Sequence, residues 1–321
     1  MFIRKRKKPL TLQKLDTLIP RLSLSCKQLP YIKQDAAKLQ KGYNGERRLD
    51  FYLQSLSNNY YILSDVGLEF YNRKFQIDSL IISPHAMYLF ETKNFEGTLT
   101  FDTIHRQMIQ FNNNQEKSFT YPITQADNTA YLMMQWLENH QLKSIPIQTY
   151  IAIAQKSTII RVQGDDELIT KYVIQAEDAP LRLIHQDKQY GEATQADPQR
   201  RNKIASTIMT HVQDFSVNVM EKYQLTKEDI KPGTRCSSCS QLNMIYNQGK
   251  WICPDCGETS KSAHIATLQD YFLLIDSKIT IKEAQRFLKI SDRHKVYRIL
   301  KKSNLLYDFK LQAWIRTKNK K

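Results

Sequence analysis

Asp78 sits in the apolar run Phe75-Gln76-Ile77-Asp78-Ser79-Leu80-Ile81-Ile82. Glu91 and Lys93 follow a few residues later in Met87-Tyr88-Leu89-Phe90-Glu91-Thr92-Lys93. Both runs read as buried strands, where a charged side chain is costly unless it is paired or bound to metal. Two carboxylates form a hard oxygen ligand set of the kind that Mg²⁺ or Mn²⁺ accepts. A lysine beside them can orient a water molecule and offset charge building on a phosphorus centre. The chemistry these residue types support is hydrolysis of a phosphodiester.

Their placement depends on the connection Ser83-Pro84-His85-Ala86, which reads as a hairpin turn. Centred between Pro84 and His85, that turn puts Asp78 opposite Glu91, and two like charges so paired call for a cation between them. Lys93, two residues beyond Glu91, leaves the same face of the strand. A third carboxylate, Glu46, falls in line with Leu49, Leu53 and Leu56 on a helical stripe over 46–56 and so points at the core. The plainer alternative is a cross-strand ion pair between Asp78 and Lys93, with Glu91 at a strand end.

Around these residues the pattern gives a helix, three or four strands, a helix and a strand. Gly42-Tyr43-Asn44-Gly45 reads as a turn or helix start. Tyr60–Leu63 reads as a short strand closed by Ser64-Asp65, and Gly97–Phe101 as another. A helix over Thr124–Leu137 starts at Tyr121-Pro122, and a strand covers Ile147–Ala154. The fold class is α/β, with a central mixed sheet flanked by helices.

Three blocks, Gly42-x-x-Gly45-Glu46, Gln76-Ile77-Asp78 and Glu91-Thr92-Lys93-Asn94-x-x-Gly97, resemble NERD, the nuclease-related domain of the PD-(D/E)xK nuclease superfamily. The resemblance covers roughly residues 38–155 and implies a restriction-endonuclease-like core. It makes Asp78 and Glu91 metal ligands, Lys93 the catalytic lysine and Glu46 an accessory carboxylate. Pro122 and Gln125 look like the family's proline–glutamine segment, with Gln125 supporting the site. Ile77 stands where the superfamily's name has proline.

The rest of the chain divides as a basic lead-in (1–37), a helical extension of the core (156–231), a cysteine module (232–260) and a basic tail (261–321). The lead-in contains a short helix ending near Pro20 or Pro30, and Arg4-Lys5-Arg6-Lys7-Lys8 reads as a solvated, mobile arm. The extension ends in one long helix over Asp197–Tyr223. Cys236-Ser237-Ser238-Cys239 and Cys253-Pro254-Asp255-Cys256, separated by 13 residues, read as the two knuckles of a zinc ribbon holding Zn²⁺ through four thiolates. The ribbon serves either as a staple or as a nucleic-acid contact through Lys250 and Trp251.

Lys and Arg number 47 against 32 Asp and Glu, a formal +15. The tail carries 15 of those cations against five acids, which points to a polyanionic partner. Helices over Ala263–Leu274, from a Thr280 cap to Leu288, and from a Ser291 cap to Lys302, followed by a wing over Leu305–Ile315, resemble a winged helix-turn-helix. Arg293, Lys295, Arg298, Lys301 and Lys302 on its third helix are the candidate nucleic-acid contacts, with Val296, Ile299 and Leu300 facing the core. No run approaches the roughly 20 apolar residues of a membrane span and no apolar segment follows the N-terminal basic run, so the sequence reads as cytoplasmic. Together these features point to a Mg²⁺-dependent nuclease acting on DNA. The alternatives are a non-catalytic DNA-binding or partner-docking protein on a nuclease-like fold, and an RNA-directed enzyme.

Overall fold

The computed structural model describes residues 1–143, 145–193 and 195–317. They form two compact units: Met1–Pro9 with Lys38–Phe215, and Leu10–Ala37 with the described residues from Ser216 onward. From the N-terminus the elements are β1 (Phe2–Arg4), α1 (Leu10–Leu18, in the second unit), α2 (Leu29–Leu53, in the first unit from Lys38), β2 (Tyr61–Phe70), β3 (Arg73–Ile82) and β4 (Met87–Lys93). There follow β5 (Thr98–Asp102), β6 (Gln107–Asn112), β7 (Gln115–Thr120), α3 (Pro122–Asn139), β8 (Ile147–Ile153), β9 (Ile159–Gln163), α4 (Asp166–Tyr172), β10 (Val173–Gln175), α5 (Ala179–Ala193) and α6 (Pro198–His211).

The first unit is built on a mixed six-stranded sheet in the order β1-β2-β3-β4-β8-β10. β3 runs antiparallel to both of its neighbours, β2 and β4, whereas β1 joins β2, β8 joins β4 and β10 joins β8 in parallel. Period-two alternation sends sequence neighbours to opposite layers. Leu63, Leu80, Met87 and Leu89 lie under Met133, Trp136 and Leu137 of α3 and under Ile204 and Ile208 of α6. Ile62, Ile81, Tyr88 and Phe90 lie under Leu49 and Leu53 of α2 and Leu183 of α5. A sheet covered on both faces needs near-continuous apolar strands, which is why these runs contain so few polar residues. The central mixed sheet flanked by helices is the α/β architecture that the sequence pattern implies.

A second sheet, β7-β6-β5-β9, takes β5–β7 from the segment between β4 and β8 and β9 from the segment after β8. Its β6–β7 hairpin escapes sequence reading because β7 is largely exposed and polar and β6 is only partly buried, without a regular apolar alternation. The available signal is the turn: Asn113 and Asn114 adopt φ of 50° and 57°, the left-handed pair that a two-residue hairpin loop requires.

Three local expectations are corrected. Gly42–Gly45 is not a turn but the interior of α2, a 25-residue helix that admits Pro30 because it stands in the first turn. Ser64-Asp65 does not end β2; the strand continues to Phe70 with Asp65 at φ 59°. The helix expected over 197–223 is two helices, α6 and α7 (Val219–Lys222). Between them Gln213 forms a bridge with Gly67, its N–H donating to the Gly67 carbonyl at 2.9 Å.

The second unit contains a small sheet of β11 (Ile245–Asn247), β12 (Lys250–Ile252) and β13 (Thr259–Ser260), then α8 (Ala263–Leu274), β14 (Lys278–Ile279), α9 (Ile281–Leu288), α10 (Arg293–Lys302), β15 (Leu305–Asp308) and β16 (Ala313–Arg316). Three helices followed by a β15–β16 wing give the element order of a winged helix, with Val296, Ile299 and Leu300 buried. Thr280 and Glu283 form a complete capping box on α9. The cap of α10 is Asp292 rather than Ser291: its carboxylate accepts the Lys295 N–H at 3.0 Å. The lead-in is structural here as well. Arg21, fully buried, donates to Asp270 at 2.8 Å and to the Lys231 carbonyl, and lies 4.6 Å over the Phe287 ring.

Candidate active site

The β3–β4 register is the one the hairpin turn implies, with Ile82 opposite Met87 and Ser79 opposite Phe90. The ladder stops there, one pair short of Asp78 and Glu91. The Asp78 carboxylate takes over at the opening: its Oδ2 accepts the Thr92 N–H at 2.8 Å. The two strands therefore part where the acidic residues begin.

On β4, Lys93 pairs with Glu91 and not with Asp78: its Nζ donates to Glu91 Oε1 at 2.8 Å and to Gln125 Oε1 at 3.3 Å. Gln125 Nε2 in turn donates to Glu91 Oε1 at 2.9 Å. Gln125 reaches the strand because α3 begins at Pro122 in the first turn, where a missing N–H leaves no bond unmade. Lys93, Glu91 and Gln125 thus form a closed triangle.

Glu46 is drawn inward as its stripe implies, and its partner is a residue from the far N-terminus. Arg6 Nη1 donates to Glu46 Oε2 at 2.7 Å, and Arg6 also binds Asp50 through Nε at 2.8 Å. Its Nη2 donates to the Asp78 carbonyl at 2.7 Å and to Ser79 Oγ at 2.8 Å. The Arg6 side chain is 3% exposed. The basic run expected to be a mobile arm is instead tied down: Phe2 and Arg4 pair with Ile62 and Leu63, Arg4 Nη2 donates to Asp214 at 2.5 Å, and Arg6 is the internal counter-ion of two carboxylates.

Gly45 lets α2 approach this closely. A Cβ there would stand 2.5 Å from the Asn94 Cβ and 3.3 Å from the Ala154 Cβ. Asn94, just past β4, donates to the Lys41 carbonyl at 2.7 Å. The glycine is a packing requirement inside a helix, where a turn was expected.

Electrostatics follow from this crowding. Burial, and then the Glu91 and Glu46 charges, push the Asp78 carboxyl well above the usual range, against the pull of the Thr92 amide and Arg6. Burial likewise raises Glu46, with Arg6 opposing and Asp65, Asp50 and Glu91 adding to the rise. Carboxylates held in this way favour any arrangement that brings in positive charge.

Residues 41–154 match the family model of NERD, the nuclease-related domain. This stretch is similar to a NERD domain. It contains Glu46, Asp78, Glu91, Lys93 and Gln125, and occupies about a third of the chain. No curated protein and no solved structure matches the chain. Arg6 lies outside the NERD segment, forty residues before its nearest acidic partner, so no local pattern could assign it. Asp50, four residues after Glu46 on the same helical face, was within reach of the stripe argument and was missed.

Among the described residues, the group of three or more ligands close enough to share a metal is Cys236, Cys239, Cys253 and Cys256, whose sulfurs all lie within 4.8 Å of one another. The carboxylates around Asp78 are not gathered in this way. Sulfur separations of 3.6 Å (Cys236–Cys256) and 3.5 Å (Cys239–Cys253) are far too long for disulfides. They approach the ~3.8 Å edge of a tetrahedron with metal–sulfur bonds near 2.3 Å. The two knuckles are built alike. The Cys236 carbonyl accepts from Ser240 and the Cys253 carbonyl from Gly257, both at 3.0 Å, with Ser240 at φ 62° and Gly257 at φ 73°. The amide of Cys239 helps draw Cys236 down to about 7, toward the thiolate a metal needs. Four such sulfurs can hold an ion such as zinc. Among the described residues no helix is long and apolar enough to cross a membrane.

Proposed function

We propose that the chain is a divalent-metal-dependent nuclease hydrolysing phosphodiester bonds, with DNA as the preferred substrate. The observation that carries this reading is the opening between β3 and β4. There Asp78, Glu91, Lys93 and Gln125 converge within the NERD-like stretch. Asp78 engages Oδ2 and Glu91 engages Oε1 in protein contacts, and the second oxygen of each is the proposed ligand. Hard, desolvated and mutually repelling oxygens suit Mg²⁺ or Mn²⁺. Such an ion would supply Lewis-acid polarisation of a phosphate oxygen.

The chain's own residues do the remainder. Lys93, held by Glu91 and Gln125, orients the attacking water and offsets charge on the phosphorus centre. Gln125 fixes the Lys93–Glu91 geometry, and Arg6 holds Glu46 and Asp50 in place. The four cysteines, binding Zn²⁺, shape the ribbon, and the basic tail supplies phosphate contacts.

Purified protein with Mg²⁺ or Mn²⁺ should nick or linearise plasmid DNA. Lys93→Ala and Asp78→Ala should each reduce the rate by about 10² or more without lowering thermal stability. Cutting that needs no metal, or that survives both substitutions, refutes the mechanism. One observation favours a second reading, a binding protein without turnover: Glu46, Glu91 and Asp78 each already have a partner inside the protein, in Arg6, Lys93 and the Thr92 amide. In that case the metal titration gives no cleavage while DNA binding persists.

A further inference from the structure

The five basic residues chosen on α10 separate into two groups. Lys295, Arg298 and Lys302, one stripe at helical spacing, line a cavity of about 570 Å³ within the second unit, whereas Arg293 and Lys301 do not. The opposite wall comes from the β11–β12 hairpin of the ribbon, including Tyr246, and from Lys261 and His264 at the start of α8. The hairpin is fastened in that position. Trp251 is fully buried and donates its indole N–H to His264 Nδ1 at 3.1 Å, with the two rings stacked. An indole nitrogen only donates, so His264 is the neutral tautomer with its proton on Nε2, consistent with burial lowering its pKa.

No acidic side chain is among the described residues lining this space, although Lys295 also lies 3.9 Å from Asp292. A recognition helix that reads a duplex must enter a groove about 12 Å wide with its basic stripe foremost. Here that stripe looks across a cleft at the ribbon, leaving room for a chain rather than a duplex. The cleft offers four cations and one aromatic ring, the combination that binds unpaired nucleic acid through phosphates and base stacking.

We propose that the cleft between the ribbon hairpin and α10 holds a single strand of nucleic acid, its phosphates at Lys261, Lys295, Arg298 and Lys302 and a base against Tyr246. The proposal rests on the nucleic-acid part of the function above but not on the chemistry at Lys93. The ribbon is then half of a binding site. Placed on an unpaired strand, the protein would favour DNA with tails, gaps or frayed ends.

The test uses the full zinc-loaded chain without Mg²⁺ or Mn²⁺ and measures fluorescence anisotropy with labelled oligo(dT), oligo(rU) and a blunt duplex at one fixed salt concentration. A single strand should bind at least about tenfold tighter than the duplex, as stacking of one base alone provides. Arg298→Glu with Lys302→Glu should abolish that preference, and Tyr246→Ser should weaken strand binding about tenfold. Lys301→Glu, outside the cleft, should leave the preference intact. Either polymer ahead of the duplex supports the cleft, and their order identifies the natural strand. Equal or tighter duplex binding, or a Lys301→Glu loss matching the cleft pair, overturns it. Strand preference without plasmid cleavage refutes only the nuclease reading; cleavage without strand preference refutes only the cleft.

Discussion

The two candidate metal centres are assembled in opposite ways. The cysteine cluster comes from two short turns of the same construction, each supplying two sulfurs and its own backbone bonds. The carboxylate site draws on the segment after β1 and on α2, β3, β4 and α3, with Arg6 and Lys93 as its cations. One centre gathers four sulfurs within 4.8 Å of one another, a set suited to an ion. The other is balanced only in part inside the protein, where Arg6 and Lys93 stand among Glu46, Asp50, Asp78 and Glu91. A locally encoded site gives its metal a structural task; a site assembled from distant segments can stand without metal and leave the ion to the reaction.

The largest effect that would break this comparison lies at the cysteines. Removing zinc with a chelator, or Cys253→Ser, should unfold the ribbon, since structural zinc contributes about 10 kcal/mol or more of apparent folding energy in such modules. Loss of a single bound zinc per chain, together with a shift in fluorescence on exposing buried Trp251, checks this. Magnesium removal from the first unit should leave its thermal midpoint unchanged.

Arg6→Ala comes next. It strands Glu46 and Asp50 without their cation and should destabilise the first unit by about 3–5 kcal/mol. Combining Arg6→Met with Glu46→Gln and Asp50→Asn should recover most of that in a urea titration. A negligible effect of Arg6→Ala would mean that the carboxylate site is not internally balanced.

Gly45→Ala should cost about 1–3 kcal/mol by overpacking against Asn94, and should lower cleavage more than stability because it moves α2, which bears Glu46. The smallest effect tests the local side of the comparison. Thr280→Ala should cost about 1 kcal/mol. Burial pushes Glu283 up, but bonds from Thr280 and Lys227 outweigh it and hold the carboxyl at about 2, against an ordinary 4.5. A depressed folded value means this stabilisation is complete above the ordinary pKa and is lost as pH falls toward 2. The gap between Thr280→Ala and parent should therefore close over that acid range.

What could be read from the sequence followed the same division. The knuckles, the Thr280 cap, the α10 core residues and the β3–β4 register all depend on residues near one another in the chain. Glu46 was found because helical spacing reports burial. Arg6 was not, because a guanidinium forty residues from its partner leaves no periodic trace. The continuous α2 was missed for a related reason: glycine spacing looks the same in a turn and at a close helix–strand contact, and only Asn94 and Ala154 distinguish them. The β6–β7 hairpin, exposed along β7, lacked a regular apolar alternation, though its paired asparagines were there to be read.

Arg6 binds Glu46, Asp50 and Ser79 at once, and that has a consequence for inheritance. Four positions spread over more than seventy residues share one guanidinium, so a change at any of them alters the background in which the others are selected. Among descendants of this sequence they should vary as a single character, with an arginine lost at position 6 accompanied by acids lost at 46 and 50.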